Sequence, residues 1–244
     1  MNKFFSVVID NLKTLFYALI IAILIRSLLF QPFYIPSSSM EPTLLIGDRI
    51  FVNKYSYGYS KHSFPFSPPI MSDRIFFTEP KKGDLVVLKT PADNRTDYIK
   101  RLVGFPGDKI QFKDGDLFIN EQKISKNKSE LQTEIRCGER GIETTVYEEQ
   151  LDTQITHLTA YLNSGSIKNT DVYVVPSGHY FMLGDNRDCS KDSRFLSSVG
   201  FIPKENLVGK ASIIFFSNDT LKGSMFNIFN LHRSFRLERL FKTL

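Results

Sequence analysis

The chain has 244 residues and a net charge of +5, and 42% of its residues are apolar while 13% are aromatic. This composition excludes a disordered chain and suffices for one hydrophobic core with an additional lobe. The basic residues are scattered except near the C-terminus, and no zinc-finger or aromatic RNA-binding pattern occurs. Nucleic acid is therefore not an expected partner.

An apolar segment at residues 15–30, interrupted only by Arg26 and Ser27, predicts a membrane-spanning helix. Its length of 16 residues (30 − 15 + 1) is a little under the roughly 17–25 needed to cross a bilayer. Residues 13–14 before it and 31–35 after it would supply the missing length. Lys3 and Lys13 precede the segment and favour a cytoplasmic N-terminus.

Two other structures would show a similar apolar run. A cleaved signal peptide is one, but cleavage at the small residues that follow would destroy the serine-rich loop discussed below. A buried core helix is the other, but a helix that is apolar on all sides is unusual in a core at the extreme end of a chain. We therefore predict an uncleaved anchor.

After the anchor, the pattern predicts a mainly antiparallel β domain. Pro32 and Pro36 break the helix and favour an extended segment that leads into the serine loop. Asp114-Gly115 lies between two alternating segments and predicts a β-hairpin. Short strand-like runs recur between Gly, Pro and Asp turns, at residues 49–52, 85–88, 98–103, 109–112, 116–120, 172–175, 180–183 and 211–216.

Two further regions have weaker patterns. Residues 113–170 are polar with few long apolar runs, which indicates an inserted lobe. The tail at 231–244 has four basic residues spaced by three: Arg233, Arg236, Arg239 and Lys242. This spacing predicts either a basic amphipathic helix on a membrane surface or a helix packed on the domain.

The two cysteines, Cys137 and Cys189, cannot define a disulfide scaffold and have no metal-ligand spacing. We expect free thiols, and a single disulfide in an oxidising compartment is the alternative.

A serine and a lysine form the candidate catalytic pair. Serine is a poor nucleophile until a base removes its proton, and lysine acts as that base only when neutral. Working near neutral pH needs a pKa about three units below the usual 10.4, or roughly 4 kcal/mol, which burial can supply. If residues 98–103 form a strand, alternation places Tyr98, Lys100 and Leu102 on one face and Arg101 on the other. Lys100 would then project among apolar neighbours.

Three segments resemble, in order, the signatures of bacterial type I signal peptidases. They are PSSSMEPTL at 36–44 with Gly47-Asp48 and Val52-Asn53-Lys54 after it, DYIKRLVGFPGD at 97–108, and GDNRDCSKDSR at 184–194. Two positions depart from the family pattern. Cys189 stands where the family usually has Asn, and residues 195–200 replace a shorter aromatic-glycine stretch.

The resemblance implies a role for each site residue. Ser39 would be the nucleophile and Lys100 the general base, with the Ser39 N–H and the Ser37 hydroxyl as the oxyanion hole. Ser190 would hydrogen-bond Lys100, and Asp192 and Arg194 would brace the loop as an ion pair. Five residues would line the apolar S1 and S3 pockets that accept Ala-x-Ala cleavage sites: Phe33, Ile35, Val87, Tyr98 and Ile99.

The resemblance also implies the architecture and the function. The fold would be mainly β, an antiparallel catalytic domain of the signal-peptidase and SOS-repressor-protease type, with a transmembrane helix at 1–30 and an inserted lobe at 113–170. The catalytic domain would comprise 31–112 and 171–244. The protein would be an inner-membrane serine endopeptidase, with its N-terminus cytoplasmic and its catalytic domain periplasmic. It would remove signal peptides from secretory preproteins without a cofactor or metal.

Three alternatives compete with this interpretation. A Ser-His-Asp triad could use one of four histidines, none of which has a strong nucleophile motif beside it: His62, His157, His179 and His232. A self-cleaving SOS-type repressor shares the Ser-Lys pair, but it is soluble and carries a DNA-binding domain. An anchored β module that binds exported proteins without cleaving them would not need both Ser39 and Lys100.

Overall fold

A computed structural model describes residues 3–131, 135–137, 140–142, 144–163, 168–219 and 234–244. It contains one long α-helix, α1 (Lys3–Leu24), and seventeen short strands among the described residues. The strands are β1 (Phe30–Tyr34), β2 (Asp48–Asn53), β3 (Leu85–Lys89), β4 (Asp97–Gly104), β5 (Lys109–Lys113), β6 (Asp116–Ile119), β7 (Gln122–Lys123), β8 (Ser125–Lys128), β9 (Ile135–Cys137), β10 (Arg140–Ile142), β11 (Thr144–Gln150), β12 (Thr156–Leu162), β13 (Tyr173–Val174), β14 (His179–Leu183), β15 (Ile202–Pro203), β16 (Leu207–Ser217) and β17 (Lys242–Thr243).

The apolar N-terminal helix is longer than the sequence suggested. Helix α1 continues as a π-helical turn, Ile25–Leu29, so that 25 residues, Phe5–Leu29, are apolar enough to cross a membrane. At 1.5 Å per residue this is about 37 Å, more than the roughly 30 Å of a hydrocarbon core. The expectation that residues 31–35 contribute to the span was wrong, because β1 begins at Phe30. The additional length comes from residues before Lys13 instead.

The helix passes into the β domain without a linker. The Leu29 carbonyl accepts a hydrogen bond from the Lys54 N–H at 2.9 Å, and the Leu28 carbonyl accepts one from the Tyr59 hydroxyl at 2.9 Å. Both contacts join the last helical turn to the region just after β2. The extended segment expected around Pro32 is confirmed, since it forms the edge strand β1.

The main sheet has the order β1-β2-β16-β3-β4-β14-β15, with β17 paired to β16, and every pairing is antiparallel. Three smaller sheets have the orders β13-β5-β6-β7, β12-β11-β8 and β10-β9. The predicted mainly antiparallel β fold is therefore confirmed. The hairpin at Asp114-Gly115 is confirmed too, because both turn residues have positive φ (51° and 81°) between paired β5 and β6.

Alternation along β4 separates its side chains as predicted. Tyr98 and Leu102 pack in one core cluster with Leu88, whereas Ile99 packs in another with Val87. Lys100 lies opposite Val86 of β3 in the sheet. This register brings the lysine into the middle of a strand pair that is buried along most of its length.

Two sequence expectations were wrong. Cys137 and Cys189 form a disulfide, with their Cα atoms 5.3 Å apart, so they are not free thiols. From Phe235 onward the described tail contains a short 3₁₀ helix, Leu237–Arg239, and strand β17, so Arg236, Arg239 and Lys242 do not lie on one amphipathic helix. The Arg239 guanidinium instead pairs with the buried Asp48 carboxylate at 2.6 Å. Arg233 lies outside the described residues.

Candidate active site

The serine loop is held in place by burial on both sides of Ser39. Ser38 and Met40 are buried, and Met40 packs in the core cluster with Ile35. The Ser39 carbonyl accepts a hydrogen bond from the Asn186 N–H at 3.1 Å, and the Ser38 carbonyl accepts one from the Asn186 side-chain amide at 3.0 Å. Ser39 itself stays half-buried. Its hydroxyl therefore projects from a loop whose backbone is fixed.

Lys100 of β4 reaches this hydroxyl. Its side chain is 3% exposed, and its Nζ lies 2.8 Å from Ser39 Oγ and 2.9 Å from the Ile99 carbonyl oxygen. Burial lowers the lysine pKa to about 8, although the Asp192 and Asp185 carboxylates partly oppose this effect. A neutral amine at this distance can accept the proton of the serine hydroxyl.

Ser37 lies at the mouth of the same site. Its hydroxyl oxygen is 3.4 Å from Ser39 Oγ, and the residue is exposed. This position is compatible with a donor to an oxygen bound beside Ser39. Its role in an oxyanion hole stays a prediction.

The loop after β14 brings the predicted supporting residues together, with one difference. Arg194 pairs with Asp192 through Nε–Oδ1 at 2.8 Å, as expected, and Asp192 Oδ2 also accepts the Gly184 N–H at 2.9 Å. The expected hydrogen bond from Ser190 to Lys100 is not formed. The Ser190 hydroxyl is buried without a hydrogen-bond partner, because Lys100 Nζ points to Ser39 and to the Ile99 carbonyl instead.

A cavity of about 560 Å³ opens beside Ser39 and Lys100. All five residues predicted to bind substrate lie in its wall: Phe33, Ile35, Val87, Tyr98 and Ile99. Cys189 and Lys191 complete the wall from the side of the 184–194 loop. The cavity therefore borders the Ser39 and Lys100 pair and has a largely apolar wall.

Sequence reasoning missed a buried ion pair that joins all three signature segments. The Arg101 guanidinium donates two hydrogen bonds to the Asp185 carboxylate, at 2.8 Å (Nε–Oδ1) and 2.6 Å (Nη2–Oδ2). Asp185 Oδ2 also accepts the Thr43 hydroxyl at 2.5 Å. We expected Arg101 to point away from Lys100, and it does so, but its partner was not identified. The available signal for this ion pair was a basic residue, Arg101, in the second signature segment and an acidic residue, Asp185, in the third.

The histidines form no triad among the described residues. His62 Nδ1 lies 2.9 Å from Ser67 Oγ, but its Nε2 has no hydrogen-bond partner, so no carboxylate orients the ring. His157 lies 3.5 Å from Glu149, and neither of its ring nitrogens forms a hydrogen bond. The ring of His179 contacts the Ser177 carbonyl, and His232 lies outside the described residues.

Comparison with known proteins identifies the family of the chain. The family model described as signal peptidase, peptidase S26, matches residues 8–216, well over half of the chain. Signal peptidase I of Rickettsia typhi (strain ATCC VR-144 / Wilmington) is 42% identical over 245 residues, covering 93% of this chain and 90% of the relative. Signal peptidase I of Rickettsia prowazekii (strain Madrid E) has the same identity and coverage. A crystal structure of a signal peptidase I from Enterococcus faecalis V583 is 25% identical and covers 55% of this chain and 97% of its own, with a TM-score of 0.32. The chain belongs to the signal peptidase family, peptidase S26.

Proposed function

We propose that this protein is a membrane-anchored serine endopeptidase that removes N-terminal signal peptides from exported preproteins, with Ser39 as nucleophile and Lys100 as general base. One observation carries the proposal. The buried Lys100 amine lies 2.8 Å from the Ser39 hydroxyl, in a chain of the signal peptidase family. Among the described residues Ser67 also contacts a buried base, His62, on the wall of a second cavity, but no carboxylate hydrogen-bonds that ring.

The reaction follows from this contact. Neutral Lys100 takes the Ser39 proton while Oγ attacks the scissile carbonyl carbon, which gives a tetrahedral intermediate. Lys100 then gives the proton to the leaving amine, and the C–N bond breaks to leave an acyl-enzyme. A water molecule then loses a proton to Lys100 and attacks the ester carbonyl. The signal peptide leaves with a C-terminal carboxylate, and Ser39 recovers its proton from Lys100.

The developing oxyanion needs donors fixed before the reaction. The Ser39 N–H and the Ser37 hydroxyl are the candidates, and each such donor typically contributes about 10²–10³ in rate. The Asp192–Arg194 pair keeps the opposite loop in place, since Asp192 also binds the Gly184 N–H. The Ser190 hydroxyl on this loop is buried without a hydrogen-bond partner, and it is the group proposed to orient Lys100 during the reaction.

The apolar cavity supports the proposed specificity. Val87 and Ile99 are neighbours across β3 and β4 and line the cavity together with Phe33 and Ile35. Branched and aromatic side chains at these positions form an apolar wall beside Ser39, which suits a small apolar residue such as alanine. We therefore assign Ala-x-Ala cleavage sites to this enzyme.

The N-terminal helix and the disulfide support the proposed topology. Phe5–Leu29 is long enough to span the bilayer, and Lys3 at its start favours a cytoplasmic N-terminus. The Cys137–Cys189 bond favours an oxidising compartment for the β domain. The active site then lies on the periplasmic face of the inner membrane, where preproteins emerge and the lipid bilayer is adjacent.

The test is cleavage of a purified preprotein by the full chain extracted in detergent. Wild type should cut after the signal peptide, while Ser39→Ala and Lys100→Ala should be inactive although folded. Ser67→Ala is the matched control, because Ser67 contacts His62 and should be dispensable. Equal cutting by all variants would mean that the pair is wrong or that a contaminant acts. Loss in Ser67→Ala alone would favour a histidine mechanism, and no cutting by any protein would favour a binding module.

A further inference from the structure

Strand β9 contacts both loops of the candidate site although it lies outside the main sheet. It pairs only with β10 among the described strands, and its Ile135 is buried in a small cluster with Val146 and Ala160. Its other two residues, Arg136 and Cys137, face the serine loop and the 184–194 loop. This three-residue strand belongs to the segment interpreted from sequence as an inserted lobe.

On the serine side, β9 holds the chain on either side of Ser39. The Arg136 N–H donates to the Glu41 carboxylate at 2.7 Å, two residues after Ser39. The Asn186 side-chain amide donates both to the Arg136 carbonyl at 2.9 Å and to the Ser38 carbonyl at 3.0 Å. The Ser38–Glu41 segment is thus attached to β9 directly through Glu41 and indirectly through Asn186.

On the lysine side, β9 is joined to the 184–194 loop by a covalent bond. Cys137 is bonded to Cys189, which lies in the cavity wall and directly precedes Ser190. Three residues beyond Cys189, the Asp192 carboxylate binds Arg194 and the Gly184 N–H. The disulfide therefore fixes the 184–194 loop, which lines the cavity together with Lys100, relative to the strand that holds the serine loop.

We infer that strand β9 and the Cys137–Cys189 disulfide are a positioning element that fixes the relative position of the Ser39 hydroxyl and the Lys100 amine. The inference rests on the proposed function of this pair. Neither cysteine is a catalytic residue, since both act through Asn186, Glu41 and the 184–194 loop. A misplacement of about 1 Å between reacting groups can cost on the order of 10²-fold in rate. Loss of the disulfide should therefore lower kcat more than it changes KM.

The experiment uses the full chain in detergent and a preprotein substrate, with kcat and KM measured separately. One arm is the double variant Cys137→Ser/Cys189→Ser. The other is folded wild type treated with a water-soluble phosphine, which converts the disulfide to two thiols while it is oxidised to the phosphine oxide with oxygen from water. The double variant treated with the same phosphine is the matched control, because it has no disulfide to reduce.

We expect both arms to lose kcat by about tenfold or more with KM within about twofold, as for misaligned reacting groups. The treated double variant should show no additional loss, and wild type should recover when oxidised glutathione reforms the bond. Unchanged kcat after verified reduction would overturn the inference, as would a rise in KM alone, which would make the disulfide only a part of the cavity wall. If the double variant does not fold, reduction of folded wild type decides. Absence of cleavage by untreated wild type would instead contradict the proposed function.

Discussion

The pH dependence of cleavage tests Lys100 most directly. Burial lowers its pKa from the usual 10.5 to about 8. At pH 7 a lysine with a pKa of about 8 is neutral in about 10% of molecules, whereas an unperturbed lysine is neutral in about 0.03%. Burial therefore raises the neutral fraction of Lys100 by about 300-fold at pH 7.

The expected pH profile of kcat/KM follows from the lowered pKa of Lys100. Because the protonated amine cannot accept the Ser39 proton, kcat/KM should rise with pH and level off above about 8. It should be about tenfold below the plateau at pH 7 and about a hundredfold below it at pH 6, as for one ionising base. The assay is preprotein cleavage by the full chain in detergent, between pH 5.5 and 10, with the folded state monitored at each pH.

The chain contains a matched control for this profile. Lys54 is also buried, and burial lowers its pKa to about 8 as well, but its Nζ contacts the His62 carbonyl at 3.3 Å and not a serine. Lys54→Met should therefore keep the same midpoint, while Lys100→Met should abolish cleavage at every pH. A midpoint near 10, a flat profile, or loss of the transition in Lys54→Met alone would refute the assignment of Lys100 as the base.

Four further predictions concern stability, turnover and specificity. Lys54→Met should raise the free energy of unfolding at pH 7 by up to about 3 kcal/mol, because a lysine whose pKa is lowered in the folded state destabilises the fold below about pH 8. This gain in stability should disappear as the pH rises from 8 to 10.5. A gain that persists at pH 10.5 would contradict this cause. Asp185→Ala should cost about 3–5 kcal/mol in urea unfolding because it leaves Arg101 buried without its partner, and a loss under about 1 kcal/mol would show that the pair is dispensable. Gly184→Ala should lower kcat, since its Cβ would clash with the Ser190 Cβ and lie 2.6 Å from the Ser39 carbonyl oxygen; an unchanged kcat would argue against a fixed arrangement of the two loops. Replacing alanine by leucine at the substrate's P1 position should abolish cleavage, and efficient cutting would exclude a small pocket.

The elements with strong local patterns were predicted well from the sequence. Alternation in β4 placed Lys100 and Arg101 on opposite faces, and turn chemistry identified the hairpin at Asp114-Gly115. Each of these signals lies within a few consecutive residues, so it can be read without knowing the fold. The five cavity residues were not found this way, because they come from β1 and the residue after it, from β3 and from β4, and only a family resemblance linked them.

The features that were missed depend on contacts between distant segments. Strands β11 and β12 lie in a polar segment, and their pairing is stabilised by a buried ion pair between Glu149 and Arg187 of the 184–194 loop, with Nη1–Oε2 at 2.7 Å. The disulfide was missed because spacing in sequence does not determine which cysteines meet. The tail was predicted as a helix from its basic periodicity, but Arg239 gains a buried Asp48 partner that local propensity cannot register.

The direct junction between the helix and β1 has a consequence for substrate choice. The last helical turn is tied to the β domain through Leu28 and Leu29, and Ser39 follows ten residues later (39 − 29 = 10). With the helix in a bilayer, the height of the dyad above the lipid is then set by the fold and cannot exceed about 35 Å along the chain. The enzyme would then cut only a scissile bond that lies at this height above the lipid, after the substrate's own apolar segment.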